Sequence, residues 1–144
     1  MEFTIEKIET KETYALRKKI LREGIDLPYQ FEGDFDQSTF HLGAFLNGKL
    51  IGIASFMKSN NDLFSSEQYQ LRGMATSEEV RGRGAGKVLV NSAIEILRNK
   101  GVKTVWCNAR KEATTFYKKL GFKVTGNLFI VEKVGPHFVM FFEL

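Results

Sequence analysis

Alternation of polar and apolar residues predicts a series of β-strands in the first half of the chain. Four short segments show this period of two or lie between turn signals: residues 2–8, 39–46, 50–57 and 68–75. In the first of them Phe3 and Ile5 would face inward. Asn47-Gly48 separates the second from the third, and this dipeptide is typical of a two-residue hairpin turn. The pattern therefore predicts an antiparallel meander that ends in a central strand over 68–75.

Helical spacing of apolar residues follows three of the predicted strands. Leu89, Ala93, Ile96 and Leu97 fall at i, i+4, i+7 and i+8, which predicts a long helix that Gly101 ends. Two more helices are predicted. Thr10 caps the first, which runs to about Glu23 with Ala15 or Leu16, Ile20 and Leu21 buried, and the second is a short helix over 113–120 closed by Gly121. Further strands are predicted over 103–108, 122–125 and 138–142.

Strands that alternate with helices in this way predict an α/β fold with a mixed sheet and crossover helices. The chain has 144 residues, of which 43% are hydrophobic, and shows no linker, so we expect one domain over residues 1–144.

Cys107 is the single cysteine, which excludes an internal disulfide and fits a reducing, cytoplasmic setting. We expect no membrane association, because the chain has no signal peptide or apolar run of membrane length. The net charge of +4 comes from scattered residues, so nucleic acid is not an expected partner.

A glycine-rich basic loop joins the central strand to the long helix. It reads Arg81-Gly82-Arg83-Gly84-Ala85-Gly86-Lys87. The first turn of a helix leaves backbone N–H groups unpaired and carries partial positive charge. The three glycines keep side chains away from these groups, and the three basic residues add formal charge. The loop therefore predicts a pyrophosphate site, the alternative being a solvated basic turn.

Two common nucleotide-binding motifs do not match this loop. A dinucleotide fingerprint that starts at Gly82 or Gly84 would need glycine where Lys87 or Leu89 stands, and a P-loop would need Ser or Thr at Val88. Arg81-Gly82-Arg83-Gly84-Ala85-Gly86 instead resembles motif A of the GNAT superfamily of acyl-CoA-dependent N-acyltransferases. The run Asn108-Ala109-Arg110, Ala113, Phe116-Tyr117 and Leu120-Gly121-Phe122 resembles motif B of the same superfamily.

The resemblance covers roughly residues 2–144 and implies a fold and a cofactor. The fold would be a mixed sheet of seven strands with flanking helices, splayed after the fourth strand, with acetyl-CoA as the cosubstrate held in the resulting V and no metal. The residues that it implies for cofactor binding lie on the central strand, in the glycine-rich loop and on the following strand: Met74, Ala75, Thr76, Arg81, Gly82, Arg83, Gly84, Ala85, Gly86, Lys87, Asn108 and Arg110.

Direct acyl transfer needs a polarised thioester, a neutral amine and a stabilised thiolate. Backbone N–H groups near Met74 and Thr76 can serve the carbonyl, and Tyr117, at the family's motif B tyrosine, would donate a proton to sulfur; a core aromatic is the alternative role. Many GNAT enzymes have a glutamate base on the central strand, but this chain has Arg72 and no acid there. The base must then come from elsewhere, or the amine arrives neutral through a water chain. His137 is the candidate base; its alternative roles are to bind an acidic substrate group or to cap the last strand. Cys107 lies within a predicted strand with no histidine near it in sequence, which favours a structural thiol.

We therefore predict a cytoplasmic N-acetyltransferase that acts on a primary amine of a small molecule or peptide, as a monomer or homodimer. A non-catalytic acyl-CoA sensor is the alternative. The acceptor side would be built from loops 25–37, 58–67 and 126–137. The acidic residues of the first of these loops (Asp26, Glu32, Asp34 and Asp36) either are solvated or form a lip that attracts an amine. His41 is predicted to be structural or exposed.

Overall fold

A computed structural model of the chain describes residues 2–144. Seven strands form one sheet: β1 Thr4–Ile8, β2 Phe40–Leu46, β3 Lys49–Met57, β4 Gln68–Thr76, β5 Thr104–Arg110, β6 Lys123–Val131 and β7 Gly135–Glu143. The helices are α1, built from the consecutive short segments Thr10–Thr13, Tyr14–Leu16 and Arg17–Leu21, then α2 Ala85–Asn99 and α3 Thr114–Lys119. Single turns at Glu78–Val80 and Lys111–Ala113 precede α2 and α3.

The order of strands across the sheet is β1-β2-β3-β4-β5-β7-β6. All neighbours are antiparallel except β4 and β5, which run parallel. Parallel neighbours need a crossover connection, and α2 provides it. The mixed α/β sheet of seven strands with flanking helices that the sequence predicts is therefore confirmed.

The parallel pair separates soon after it forms. β4 pairs with β5 only over Gln68–Gln70 and Thr104–Trp106. Beyond this point the rest of β4 stays paired with β3, whereas the rest of β5 pairs with β7. The two central strands thus diverge towards their carboxyl ends and leave a V between them, as predicted.

Local turn and helix signals are confirmed. Asn47 and Gly48 have φ of +52° and +79°, the left-handed values that a tight hairpin turn requires. Gly101 has φ of +79° directly after the last turn of α2. One face of α2 packs into the core through Leu89, Val90, Ala93, Ile94 and Leu97. Val90 and Ile94 are additions to the predicted face, while Ile96 is only half-buried.

The last hairpin departs from the prediction. β6 and β7 are each nine residues long and include most of 126–137, which the sequence predicts to be a loop on the acceptor side. β6 is an edge strand with no buried residue, so burial imposes no regular alternation on its sequence. Gly126, at φ of +74°, lies where the β6–β7 register shifts, which also obscures the period.

The first helix also differs from the prediction in its buried side. Ala15 is exposed, whereas Thr13 and Arg17 are buried, and Arg17 has no exposed surface. The N-cap is Glu9, whose backbone N–H bonds to the Glu12 carboxylate at 2.7 Å. Thr10 is therefore the first helical residue and not the cap. Its hydroxyl donates instead to the carbonyl oxygen of Asp34 at 3.0 Å.

A buried polar network explains why Arg17 lies inside. Its Nη1 and Nη2 donate to Asp34 Oδ2 and Oδ1 at 2.8 and 2.9 Å, and Nη2 also bonds to Ser55 Oγ. Ser55 Oγ lies 2.6 Å from His41 Nδ1, and His41 Nε2 lies 3.0 Å from the Asp34 carbonyl oxygen. Burial lowers the pKa of His41. The structural alternative predicted for His41 is confirmed, and Asp34 belongs neither to a solvated loop nor to an acidic lip.

Candidate active site

The V between β4 and β5 opens into a cleft of about 790 Å³. Its walls come from the end of α1 and the loop that follows it, from β4 and β5, and from α3 and the β6–β7 hairpin. Six of the residues that the sequence predicts for the site line it: Met74, Arg81, Asn108, Arg110, Tyr117 and His137. The divergence of two strands thus gathers side chains that are distant in sequence.

The start of α2 offers backbone donors at one end of this cleft. The first intrahelical bond of α2 is from the Val88 N–H to the Gly84 carbonyl at 3.1 Å, so the N–H groups of residues 85–87 precede it. Gly82 and Gly84 have φ of +78° and +91°, and no atom lies within 4 Å of a Cβ placed on either. The loop is open and exposed, and it adopts backbone angles that favour glycine.

Gly86 has a different environment from the other two glycines. A Cβ on Gly86 would lie 2.9 Å from Phe116 Cζ, so a side chain there would collide with an α3 ring and not project into open space. Ala85 likewise has its side chain in the core. These two residues can contribute backbone N–H groups to a ligand. The side chains of Arg81, Arg83 and Lys87 in the same loop are exposed, and of these three Arg81 lines the cleft.

A bulge in β4 sets the direction of the backbone inside the V. Two residues, Gly73 and Met74, stand opposite one residue of β3, and Gly73 has φ of +64°. After the bulge, Ser77 donates its N–H to Ile51 on β3 at 2.7 Å. Because successive N–H groups of a regular strand point to opposite sides, that of Thr76 points away from β3, towards the open V. Ala75 is buried, and its N–H points to β3.

Tyr117 lies at the inner end of the cleft with its ring packed. Its ring centroid is 5.0 Å from that of Phe116 and 5.3 Å from that of Phe122. The hydroxyl makes no hydrogen bond to any of residues 2–144. Burial, and then the neighbouring Cys107, raise the pKa of Tyr117 well above its ordinary value. The phenol is therefore neutral, the form that can donate a hydrogen bond or a proton.

His137 faces the same cleft from β7, opposite Arg110 of β5. Its Nδ1 lies 2.8 Å from the carbonyl oxygen of Gly135. A carbonyl oxygen only accepts, so Nδ1 carries the hydrogen and Nε2 of the neutral ring keeps its lone pair. The ring also packs on Phe129, with centroids 5.8 Å apart. His137 is thus held in one tautomer whose free nitrogen can accept a proton.

Cys107 has the properties of a structural thiol. It is buried among core residues, and burial raises its pKa to about 12. A thiol with this pKa is protonated at neutral pH, and the thiolate is the nucleophilic form. Within residues 2–144 no group of three or more His, Cys, Asp or Glu side chains could hold a metal ion. No helix in the same range is long and apolar enough to span a membrane.

The part of the cleft beside α1 contains two residues that sequence reasoning did not assign to the site. Arg22 and Arg72 line it, together with Phe31 of the loop 25–37 that the sequence predicts to be part of the site. The sequence singled out Arg72 only as the residue that replaces an acid on the central strand. The sequence gives no local indication that residues 22, 31 and 72 lie close together, because only the packing of α1 and its loop on β4 brings them together.

Comparison with known proteins places this site in a family. Residues 5–122 match the acetyltransferase (GNAT) family. An uncharacterized N-acetyltransferase of Bacillus subtilis (strain 168), YitI, is 39% identical over 139 residues, which cover 95% of this chain and 93% of that protein. The crystal structure of Escherichia coli ElaA covers 97% of this chain and 99% of its own, with a TM-score of 0.80 at 20% identity. An aminoglycoside 6'-N-acetyltransferase complexed with coenzyme A covers 97% and 96%, with a TM-score of 0.74 at 12% identity.

Proposed function

The chain belongs to the GNAT family of acetyltransferases and is an N-acyltransferase, and from this premise we propose that it transfers an acetyl group from acetyl-CoA directly to a primary amine. The observation that carries the proposal is that Tyr117, His137 and Arg81 line one cleft, and that Arg81 is followed by the N–H groups of residues 85–87, which precede the first intrahelical bond of α2. A phosphate-binding end, a proton donor and a proton acceptor are the parts that this reaction needs.

The start of α2 would hold the pyrophosphate of the cosubstrate. The N–H groups of residues 85–87, the left-handed glycines 82 and 84, and the exposed Arg81, Arg83 and Lys87 combine donors, space and positive charge. Gly86 would contribute by bringing α2 against Phe116 and by its N–H. The N–H groups of Met74 and Thr76 would bind the thioester carbonyl and the pantetheine amides, with Asn108 beside them.

In the reaction the amine nitrogen forms a bond to the acetyl carbon, and the bond from that carbon to sulfur breaks. Donors on the Met74 side of the V would stabilise the negative charge that develops on the carbonyl oxygen. The Tyr117 hydroxyl would donate its proton to the departing sulfur, and Nε2 of His137 would take the proton that the ammonium loses. These roles need no covalent enzyme intermediate, which agrees with a Cys107 thiol that stays protonated.

A non-catalytic acyl-CoA sensor is the second candidate. One observation favours it: β4 has Arg72, and no acid that lines the cleft comes from this strand. Release of coenzyme A from acetyl-CoA in the presence of an amine panel separates the two candidates, because a sensor would bind acetyl-CoA without consuming it. The cytoplasmic location and the monomeric or homodimeric state remain predictions from the sequence.

A further inference from the structure

The two faces of β4 have opposite character. Leu71 packs in the core with residues of α2, so the next side chain along the strand, Arg72, points to the other face. There its guanidinium carbon lies 4.3 Å from the centroid of the Phe31 ring. The Arg72 guanidinium makes no hydrogen bond to residues 2–144, yet it lines the cleft. Its donors are therefore available to a ligand on the side away from α2.

Two more arginines converge on this side of the sheet. Arg22 Nη1 and Arg110 Nη2 both donate to the carbonyl oxygen of Leu21, each at 3.3 Å. Arg22 Nε donates to Pro28, and its guanidinium carbon lies 5.5 Å from the Phe31 ring centroid. Each of these guanidiniums keeps donors that bond to no group in residues 2–144. Arg22, Arg72 and Arg110, here called the arginine cluster, thus surround one end of the cleft.

The protein balances the charges around the cluster only in part: Glu32 and Asp34 act on Arg72, but they are outnumbered. The residues that line the cleft include four arginines and one glutamate, the exposed Glu32. Asp34 is unavailable to the cluster as a hydrogen-bond acceptor because both its oxygens bond to Arg17. Burial lowers the pKa of Arg22, and the positive charges of Arg110, Arg72 and Arg17 lower it further. Burial also lowers the pKa of Arg72. An arginine keeps its charge despite such shifts, so an anion would stabilise this arrangement.

We propose that the arginine cluster binds an anionic group, a carboxylate or a phosphate, carried by the amine acceptor. This inference rests on the proposed function and names its substrate class: amines that also carry an acid, such as amino acids or amino-sugar phosphates. A guanidinium matches the oxygens of either group with paired hydrogen bonds. Cationic acceptors such as polyamines would be repelled from the same surface.

A purely structural role explains only part of the cluster. Cations near the carboxyl end of a helix interact favourably with its last carbonyl groups, and Leu21 is the last residue of α1. That role accounts for one donor of Arg22 and one of Arg110. It does not account for the remaining donors of these two guanidiniums, or for Arg72, which bonds to no carbonyl.

Matched pairs of amines test the proposal with acetyl-CoA as donor. Each pair differs only in the anionic group: an L-amino acid and its amide, and glucosamine 6-phosphate and glucosamine, with spermidine as a cationic acceptor. We expect the anionic member of at least one pair to react with a kcat/KM roughly 10–100-fold higher than its neutral partner, the range expected for hydrogen bonds to charged groups. The pair that responds identifies carboxylate or phosphate. Equal rates within both pairs, or a preference for spermidine, would overturn the proposal.

Substitutions in the cluster must remove this preference selectively. Arg72→Gln and, separately, Arg22→Gln should lower kcat/KM for the anionic acceptor about 10-fold or more while changing the neutral partner little. Arg98→Gln, a substitution at an exposed position of α2, is the control. It should leave the ratio of kcat/KM for the anionic acceptor to kcat/KM for its neutral partner unchanged. Circular dichroism and acetyl-CoA affinity establish that each variant is folded. A folded pair of variants that keep the full preference would contradict the assignment.

Calorimetry of the products keeps the test independent of turnover. The N-acetylated forms of the same pairs are titrated into the protein in the presence of coenzyme A. Tighter binding of the anionic member, lost in Arg72→Gln, supports the cluster even if no amine in the panel is acetylated, which would count against the proposed function alone. Equal affinity within both pairs would contradict the cluster while leaving acetyl transfer to other amines possible.

Discussion

Gly86 and Phe116 approach so closely that no side chain fits between them. A Cβ at position 86 would lie 2.9 Å from Phe116 Cζ and 3.1 Å from Cε1. This contact joins the start of α2, where phosphate would bind, to α3, which carries Tyr117. The proposed cosubstrate site and the proposed proton donor thus lie on two helices that meet at one glycine, although motif A alone would assign that glycine to phosphate binding.

Gly84→Val should abolish acetyl-CoA binding without unfolding the protein. Gly84 has φ of +91° with open space around it, so valine meets backbone strain of roughly 1–2 kcal/mol and places a branched side chain at the start of α2. Gly101→Val is the matched control, because Gly101 has φ of +79°, equally open surroundings and a position at the far end of the same helix. Isothermal calorimetry that gave unchanged affinity for folded Gly84→Val would contradict the pyrophosphate assignment.

Gly86→Val should instead displace Phe116 and lower the stability of the protein.

Tyr117→Phe should keep the fold and the cofactor affinity while slowing turnover roughly 10²–10⁴-fold, the range for loss of a general acid. The ring contacts with Phe116 and Phe122 remain. Because the hydroxyl bonds to no group in residues 2–144, its removal leaves no buried partner unpaired. Steady-state kinetics at saturating amine measure the effect. An unchanged rate would return Tyr117 to the role of a core aromatic.

His137→Ala should lower kcat/KM, because it removes the group that would take the proton of the incoming ammonium. The 2.8 Å contact of Nδ1 with the Gly135 carbonyl oxygen leaves Nε2 as the nitrogen that can accept this proton. The loss should be largest near neutral pH and should shrink at high pH, where free amine accumulates unaided. A variant with a raised KM and an unaltered pH profile would instead assign His137 to substrate binding or to support of β7.

Asp34→Asn should destabilise the protein by about 3–5 kcal/mol, because it leaves the fully buried Arg17 without its counter-charge. Burial raises the Asp34 pKa, but the hydrogen bonds from Arg17 and the Phe31 N–H outweigh it, so the net pKa is lowered. This contribution to stability is therefore present above the ordinary aspartate pKa and is lost as pH falls through the lowered value. Urea unfolding measures it, with the exposed Asp36→Asn as control. A difference below about 1 kcal/mol between the two variants would contradict the assignment.

The parts of the fold that depend on neighbours in sequence could be predicted. The Asn47-Gly48 turn, the buried face of α2 and the loop from Arg81 to Gly86 all rest on residues a few positions apart. β6 could not be predicted beyond Thr125, because an edge strand with no buried residue lacks a regular hydrophobic period.

The buried network around Arg17 and the arginine cluster could not be predicted either, because their residues are distant in sequence. Arg17 meets Asp34 and Ser55 only when α1 and its loop pack on the sheet, and a charged residue at such a position carries no local mark of burial. The bulge at Gly73 needs the β3–β4 register. The arginine cluster joins residues 22, 72 and 110 through tertiary contacts alone.

Mass spectrometry of amine and enzyme together, with coenzyme A release recorded in the same reactions, tests direct acetyl transfer most directly. We predict that release requires an amine, that the amine gains one acetyl group, and that no acetylated enzyme accumulates at Cys107. Burial keeps the Cys107 thiol protonated, and the thiol is not the nucleophilic form. Cys107→Ala should then turn over like the unsubstituted protein. Acetyl-CoA that binds without any amine-dependent release, or an acetyl-Cys107 intermediate that is lost with activity in Cys107→Ala, would contradict the account.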